Sequence, residues 1–154
     1  MVPYFFNDPN VINHQLLYIA EVGDFAQVGT LVSLGANINT CNMYHETPLF
    51  LAVEGNHIQT VKEILRYGGD PNITDEYHEA PLHIAYENNH HLMVLQLLSY
   101  GANPYIYNLN QELPHQVSRV NQQYLTQELV DHILSQEYTT THLVRQYEDN
   151  KYRP

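Results

Sequence analysis

The sequence contains one cysteine, no tryptophan and no long uninterrupted apolar run. The single cysteine, Cys41, excludes an internal disulfide framework and favours a reducing compartment. A membrane-spanning helix would need about 20 consecutive apolar residues, and a secretory signal would need a basic segment followed by a sustained apolar stretch. Because the sequence shows neither pattern, we expect a cytoplasmic protein, in the cytosol of its own organism or of a host cell.

Basic residues are also scarce in this chain. It has 17 Asp and Glu residues against six Lys and Arg residues, which gives a formal net charge of −11. No Lys or Arg precedes Lys62, and none lies between Arg66 and Arg119. Such an acidic chain repels phosphate groups, so we predict neither a nucleic-acid partner nor a membrane partner. Two explanations of the excess of acidic residues stay open: they attract a basic protein partner, or they only keep the protein soluble.

Motifs of catalysis and metal binding are missing as well. The chain has no Gly-x-Ser-x-Gly elbow, no Gly-rich phosphate loop, no His-Glu-x-x-His and no paired cysteines. A zinc site needs three or four converging ligands, and the neighbouring His90 and His91 point in different directions on a helix. Asp75 and Glu76 are adjacent carboxylates that we place on a solvated loop. We therefore predict no enzymatic activity, no metal and no cofactor.

The chain does contain a repeat with a period of 33 residues. The segment Glu46–Leu49 returns as Glu79–Leu82 and, more weakly, as Glu112–Pro114. A fixed period in this range predicts stacked units, each of which buries its apolar face against a neighbour. We therefore expect function on a repeated surface rather than in a pocket.

Apolar spacing predicts two helices in each unit. In the first unit, the first helix is expected to end at Gly23 and the second to begin at Asp24 as N-cap and to end at Gly35. The residues expected to be buried are Leu16, Leu17, Ile19 and Ala20, then Phe25, Val28, Leu31, Val32 and Leu34. Residues 1–12 read as an extended lead-in that covers this unit with Phe5, Phe6, Val11 and Ile12.

In the next two units we expect helices near 48–54, 58–67, 81–88 and 91–100. Pro48 and Pro81 stand at helix starts, where the missing N–H has no intrahelical partner to lose. A polar unit over about 113–135 has the composition of a capping repeat. We expect residues 138–147 of the tail to fold back over that unit.

The segments Thr47–Ala52 and Ala80–Ala85 resemble the ankyrin signature T-P-L-H-x-A, at the ankyrin period. The resemblance is close over 47–112, good over 13–46 from Leu16 onward, and poor over 113–135. It implies an all-α solenoid of about four helix-turn-helix repeats joined by β-hairpin loops. The implied repeats are about 13–46, 47–79, 80–112 and 113–135, in a domain over 1–135 with a tail over 136–154.

The resemblance also gives several residues structural roles. It places His57 and His90 at the start of second helices, and it implies that His83 hydrogen-bonds within and between repeats. Asn56 and Asn89 replace a helix-ending glycine, and asparagine tolerates positive φ better than most residues.

The tips of the loops between repeats depart from the family pattern Asp-x-x-Gly. The tips are 42–45, 75–78 and 108–111, and the glycine is replaced by His45, His78 and Gln111. Glycine takes positive φ freely, whereas histidine does so at a cost on the order of 1 kcal/mol. Two explanations stay open, an aromatic contact array that rewards Tyr-His at two tips, or drift in a sequence with few glycines.

The resemblance implies that the loops and the ends of the first helices form a concave partner-binding face. The binding residues expected there are Met43, Tyr44, His45, Glu46, Glu54, Glu76, Tyr77, His78, Glu79, Glu87, Tyr107 and Leu109. Glutamates stack at two positions, Glu46 with Glu79 and Glu112, and Glu54 with Glu87. Tyr and Met are enriched at interface centres, and stacked acids favour a cationic ligand. We expect a basic protein segment as partner and a monomer when unbound.

A second function of a different class stays open, a structural scaffold that acts through its convex face or its tail. Small ankyrin proteins rich in Asn and Tyr resemble both bacterial effectors delivered into host cells and viral proteins that mimic host ankyrins. The sequence does not distinguish these two origins.

Overall fold

The computed structural model describes residues 8–117, and all structural statements below concern that range. It contains seven α-helices and one short 3₁₀ turn over Phe25–Gln27. The helices are α1 (Pro9–Val22), α2 (Val28–Ser33), α3 (Pro48–Glu54), α4 (Ile58–Arg66), α5 (Pro81–Glu87), α6 (His91–Ser99) and α7 (Pro114–Val117). The bounds of α3 to α6 agree with the predicted helices to within one residue at each end.

Helix α1 begins earlier than the sequence pattern predicts. The carboxylate of Asp8 accepts a hydrogen bond from the Asn10 N–H at 2.9 Å, and Pro9 occupies the first helical position. This Asp-Pro pair starts the helix well before Leu16, so the prediction of an extended lead-in up to residue 12 is wrong for residues 9–12. Ile12 is buried as predicted, whereas Val11 is half exposed; Phe5 and Phe6 lie outside the described residues. Gly23 ends the helix with φ of 83°, as predicted.

The second helix of the first repeat is split. Asp24 makes no side-chain cap hydrogen bond; its carboxylate instead accepts from the Gln27 side-chain amide at 2.5 Å, across the 3₁₀ turn. The prediction of Asp24 as the N-cap of an α-helix is therefore wrong. Phe25 and Leu34 were also predicted to be buried, but both are half exposed, since Phe25 lies in the turn and Leu34 at the C-cap of α2. Val28 and Leu31 are buried.

Helices α3 and α5 begin in different ways. Pro48 and Pro81 occupy the first helical positions, as predicted. The Thr47 hydroxyl accepts from the Phe50 N–H at 3.2 Å, whereas Ala80 has no side-chain acceptor and its N–H donates to His83 Nδ1 at 3.0 Å. The Leu113 N–H likewise donates to the Gln116 side-chain carbonyl at 2.7 Å, so an amide replaces the imidazole at the start of α7.

One apolar core runs through the stacked helices. Helix α3 packs between α1 and α5, and α5 also contacts α7. Ala52 and Ala85 are fully buried where these helices approach closely, as expected for small residues. Leu16, Leu49 and Leu82 share one register, 33 residues apart, and each is at most 1% exposed.

Asparagine side chains accept backbone N–H groups far along the chain, once within the first repeat and twice between consecutive repeats. Asn13 accepts from the N–H of residue 37 at 2.8 Å, Asn39 from that of residue 70 at 2.8 Å, and Asn72 from that of residue 103 at 2.7 Å. At the next equivalent position the sequence has Tyr105 in place of asparagine. A phenol has no amide carbonyl, so no asparagine stands at this position to continue the pattern.

The prediction of hairpin loops needs one qualification. Each loop turns back on itself through backbone hydrogen bonds, but no residue between 8 and 117 is part of a β-strand. The chain enters the next helix within two residues of closing each loop, which leaves no length for a strand. The predicted capping unit beyond residue 117 and the predicted packing of 138–147 lie outside the described residues.

Candidate loop-tip binding surface

The three loop tips have the same construction. Backbone hydrogen bonds close them from Asn42 N–H to Glu46 O, from Asp75 N–H to Glu79 O and from Asn108 N–H to Glu112 O, at 3.0 to 3.1 Å. The first side chain of each tip also accepts two backbone N–H groups; Asn42 accepts those of Tyr44 at 2.9 Å and Glu46 at 3.0 Å. The tips are therefore held from inside by an Asn or Asp side chain.

The last residue of each tip has the backbone conformation expected of the missing glycine. His45, His78 and Gln111 have φ of 64°, 60° and 61°. Asn56 and Asn89, which replace the glycine at the ends of first helices, both have φ of 56°. Both predictions of positive φ are thus confirmed, and the loops keep the family geometry without the residue that adopts it most easily.

Neighbouring tips are joined through their backbones. The Glu76 N–H donates to Tyr44 O at 3.1 Å, and the Leu109 N–H donates to Tyr77 O at 3.0 Å. Each tip is thus fixed relative to the next by a main-chain contact that does not depend on side-chain identity. The three tips therefore form a preformed row, and a partner that binds them would not have to order the loops.

Apolar side chains project from this row into solvent. Large apolar residues that are about half exposed or more are Met43, Tyr44, Tyr77 and Leu109 at the three tips and Tyr107 just before the third tip. Met43 is 81% exposed, the largest exposed fraction of any large apolar side chain between residues 8 and 117. We call these residues, together with the loop glutamates Glu46, Glu76, Glu79 and Glu112, the loop-tip surface. His45 and His78 are exposed at the same tips.

The glutamates of the loop-tip surface lie close enough to influence one another. The Asn108 amide donates to Glu79 at 3.1 Å and to Glu112 at 3.4 Å, so it bridges two members of the predicted stack. Burial raises the pKa of Glu79; the Asn108 hydrogen bond opposes this, and the carboxylates of Asp75, Glu87 and Glu112 add to it. The predicted stacking of Glu79 with Glu112, and its proximity to Glu87, are thus present.

Asp75 differs from its counterparts in the other two tips. It is only 7% exposed, so its predicted place on a solvated loop is wrong. Its Oδ1 accepts the N–H groups of Tyr77 at 2.9 Å and Glu79 at 2.8 Å, as the asparagine carbonyl does elsewhere. At the other two positions the amide also donates to a glutamate, for example from Asn42 to Glu46 at 2.6 Å. A carboxylate cannot donate, so the middle tip concentrates negative charge.

A further glutamate belongs to the second predicted stack. Burial raises the pKa of Glu54, and the carboxylates of Glu46 and Glu21 raise it further. Glu21 precedes Glu54 by the repeat period of 33 residues, as Glu54 precedes Glu87. Glu21 therefore lies close to Glu54, while the predicted pairing of Glu54 with Glu87 stays a prediction. The period alone would have identified Glu21 if it had been extended into the first repeat.

The histidines at the helix starts serve the fold. The His83 Nε2 lies 3.3 Å from Glu112 O, and its Nδ1 accepts from the Ala80 N–H. Both bonds join residues of the third repeat, so the predicted bonding within a repeat is confirmed and that between repeats stays a prediction. Burial lowers the pKa of His83 and of His90. His57 Nε2 lies 2.9 Å from Glu21 O, and its ring fills the space where Gly23 and Gly55 lack a side chain.

Residues 8–117 contain neither a metal-binding cluster nor a helix that could span a membrane. No group of three or more His, Cys, Asp or Glu side chains is arranged to hold a metal ion in this range. None of the helices in the same range has the length and hydropathy needed to cross a membrane. Cys41 is a free, exposed thiol.

Stacked helix pairs with a row of loop tips along one side define a helical repeat protein. The sequence profile of the ankyrin repeats matches residues 16–108 in three copies, more than half of the chain. The chain therefore belongs to the ankyrin repeat family, whose members are generally protein–protein interaction modules. Comparison with curated proteins gives no significant match, so no relative supplies a partner.

Proposed function

We propose that this protein binds a basic segment of a partner protein on its loop-tip surface. The observation that carries the proposal is the combination of exposed aromatic side chains and interacting glutamates on one rigid row of loops. Tyr44 and Tyr77 stand on consecutive tips, each joined by its carbonyl to the next tip. Arg and Lys side chains satisfy both features, since they pair with carboxylates and also lie over aromatic rings.

The distribution of cations supports a partner of this charge. Lys62 and Arg66 are the only Lys or Arg residues between 8 and 117, and both lie on α4. Arg66 pairs with Glu63 on the same helix at 2.7 Å. The loop-tip glutamates therefore have no Lys or Arg partner among the described residues. We place the interaction in a reducing cytosol, of the organism itself or of a host, because Cys41 is an exposed free thiol.

A titration with a synthetic peptide tests this proposal. The probe is an extended, proline-containing peptide rich in Arg, and the measurement is the change in backbone amide shifts on binding. We expect changes at 42–46, 75–79 and 108–112, and about tenfold or greater loss of affinity in Tyr44→Ala/Tyr77→Ala. Shift changes confined to other parts of the chain would contradict the proposal.

One observation favours the alternative function of a scaffold that uses the opposite side. Leu34, Tyr67 and Tyr100 recur at the repeat period at the ends of the second helices, and all three are substantially exposed. They form a second periodic apolar row at the C-caps of the second helices. Tyr67→Ala/Tyr100→Ala is therefore both the matched control for the tip variant and the test of this alternative. If it removes binding while the tip variant retains it, the scaffold function is supported instead.

A further inference from the structure

Helix α1 is twice as long as its counterparts. It has 14 residues, whereas α3 and α5 have seven each. At the repeat period, the helix-starting Pro48 corresponds to Gln15, and Tyr44 corresponds to Val11. The first repeat therefore has additional helical turns where the later repeats have a loop tip.

These additional turns extend an exposed stripe along α1. Val11, Gln15, Tyr18 and Val22 follow one another at spacings of four, three and four residues, and all are exposed. Such spacing places side chains on one face of a helix, in the pattern of a helix–helix seam. The opposite face carries the buried residues Leu16, Leu17 and Ala20.

Comparison with the other repeats shows that the exposure is particular to the first one. Tyr18 is 62% exposed, but its counterparts Leu51 and Ile84 are 9% and 7% exposed. The later helices each follow a loop tip, and α1 does not. The later repeats therefore cover the position of Tyr18, whereas Tyr44, the counterpart of Val11, is 49% exposed.

The stripe is next to negative charge. Glu21 follows Tyr18 by three residues on α1, is exposed, and interacts electrostatically with Glu54 of the second repeat. A second copy of this chain is disfavoured as the occupant because each chain carries a formal charge of −11. A helix with cationic flanks would complement both the apolar stripe and the adjacent carboxylates.

We propose that the exposed stripe of α1 docks an amphipathic helix of a basic partner. Apolar side chains of that helix pack on Val11, Tyr18 and Val22, and its Lys or Arg residues pair with Glu21 and Glu54. The inference rests on the proposed function, since it concerns the same basic partner. It extends the binding surface from the loop tips to the first helix and gives part of the partner a helical form.

Two synthetic probes separate the stripe from the loop tips. One is a peptide of about 18 residues, five helical turns, with Leu at heptad positions and Lys or Arg elsewhere. The other is the same peptide except that prolines replace its central residues and prevent a helix. Binding is measured by fluorescence anisotropy with wild type, Tyr18→Ser/Val22→Ser and the control Tyr67→Ser/Tyr100→Ser.

We expect Tyr18→Ser/Val22→Ser to bind the helical probe about tenfold or more weakly, as the loss of aromatic anchors predicts. Its affinity for the proline probe should equal that of wild type, and the control variant should bind both normally. Equal affinity of wild type and the stripe variant for the helical probe overturns the inference. If the variant does not fold, amide shift changes over 11–22 of the wild type on adding the helical probe support the inference, and their absence overturns it.

The remaining outcomes distinguish this inference from the proposed function. If Tyr44→Ala/Tyr77→Ala loses the proline probe while the stripe variant keeps the helical probe, the inference fails and the proposed function stands. If only the stripe variant loses binding, the stripe is supported and the proposed function fails. A dimer in sedimentation that Tyr18→Ser/Val22→Ser abolishes would assign the stripe to a second copy. If Phe5→Ser/Phe6→Ser binds the helical probe more tightly than wild type, the stripe would be assigned to the chain's own lead-in. Both the dimer result and the lead-in result would overturn the inference.

Discussion

The Leu109 N–H donates a hydrogen bond to the Tyr77 carbonyl at 3.0 Å, although the two residues belong to different repeats. Tyr44 and Glu76 are joined in the same way one repeat earlier. The positions of the exposed side chains are therefore fixed by the main chain, and the side chains themselves are free to contact a partner. This separation allows substitutions of the exposed Tyr44 and Tyr77 side chains to be interpreted as changes in binding rather than in fold.

The first prediction concerns Asp75, which stands in the middle tip where the other two tips have an asparagine. Asp75→Asn restores a donor that can reach neighbouring glutamates, as Asn42 and Asn108 do. We expect a gain of about 1 kcal/mol in the free energy of unfolding, the usual contribution of one hydrogen bond, measured by urea denaturation. Asn108→Asp is the reverse control and should lose stability. A less stable Asp75→Asn would show that the carboxylate makes a favourable contact that the amide cannot.

The second prediction concerns strain at the tips. His45 and His78 have φ of 64° and 60°, and both side chains are exposed. His45→Gly/His78→Gly should raise the melting temperature, because glycine adopts this conformation at about 1 kcal/mol less cost per position. His14→Gly is the control, since position 14 is helical and exposed and glycine should destabilise there. A lower melting temperature for the double variant would mean that the imidazoles make stabilising contacts.

The fold and part of the surface could be predicted from the sequence, because both follow from the repeat period. The positions of Pro48 and Pro81, the positive φ of Asn56 and the register of the glutamates each depend on local chemistry repeated at 33 residues. The first repeat was less predictable. Its α1 starts at an Asp-Pro cap that overrides the periodic pattern, and its second helix is interrupted by the turn at Phe25. Glu21 was missed because binding positions were inferred only from the first loop onward, and Tyr18 was missed because its counterparts are apolar residues that are buried in the later repeats.

The third prediction is the pH dependence contributed by crowded carboxylates. The pKa values of Glu54 and Glu79 are raised, first by burial, so the folded state binds more protons than the unfolded state. Their unfavourable contribution is present above the raised pKa values and disappears as the pH falls below the ordinary value of 4.5.

Glu54→Gln/Glu79→Gln should therefore be more stable than wild type near neutral pH, by less than about 1 kcal/mol because both groups are partly solvated. The advantage should vanish at acidic pH, as measured by urea unfolding across the pH range. Glu63→Gln, which breaks the ion pair with Arg66, is the control and should give no gain. A pH-independent gain would assign the effect to something other than charge.

The fourth prediction concerns His83. Burial lowers its pKa, so the unfolded state binds a proton more readily than the folded state. Its stabilising contribution is fully present above the unfolded value near 6.5 and is lost as the pH falls through that value toward the lowered one.

His83→Gln tests this dependence, because the Gln116 side chain already accepts the equivalent N–H from Leu113 at 2.7 Å. The free energy of unfolding of wild type should fall more steeply between about pH 7 and pH 5 than that of the variant. The pKa of His90 is also lowered, so the free energy of unfolding of both proteins still falls to some extent over this pH range. Identical slopes would mean that the His83 ring is protonated in the folded state without a penalty.

The central claim is that the glutamates of the loop-tip surface and the adjacent stack select a basic partner. The most direct test is the association rate of the Arg-rich proline probe, measured by stopped-flow fluorescence at increasing salt. The variant Glu46→Gln/Glu79→Gln/Glu87→Gln removes three negative charges from the loop-tip surface and the adjacent stack. The control variant Asp24→Asn/Glu63→Gln/Asp70→Asn removes three negative charges that belong to neither. We predict that the first variant associates more slowly at low salt and with a flatter salt dependence, while the second matches wild type. Equal association rates for the first variant and wild type at low salt would contradict the account.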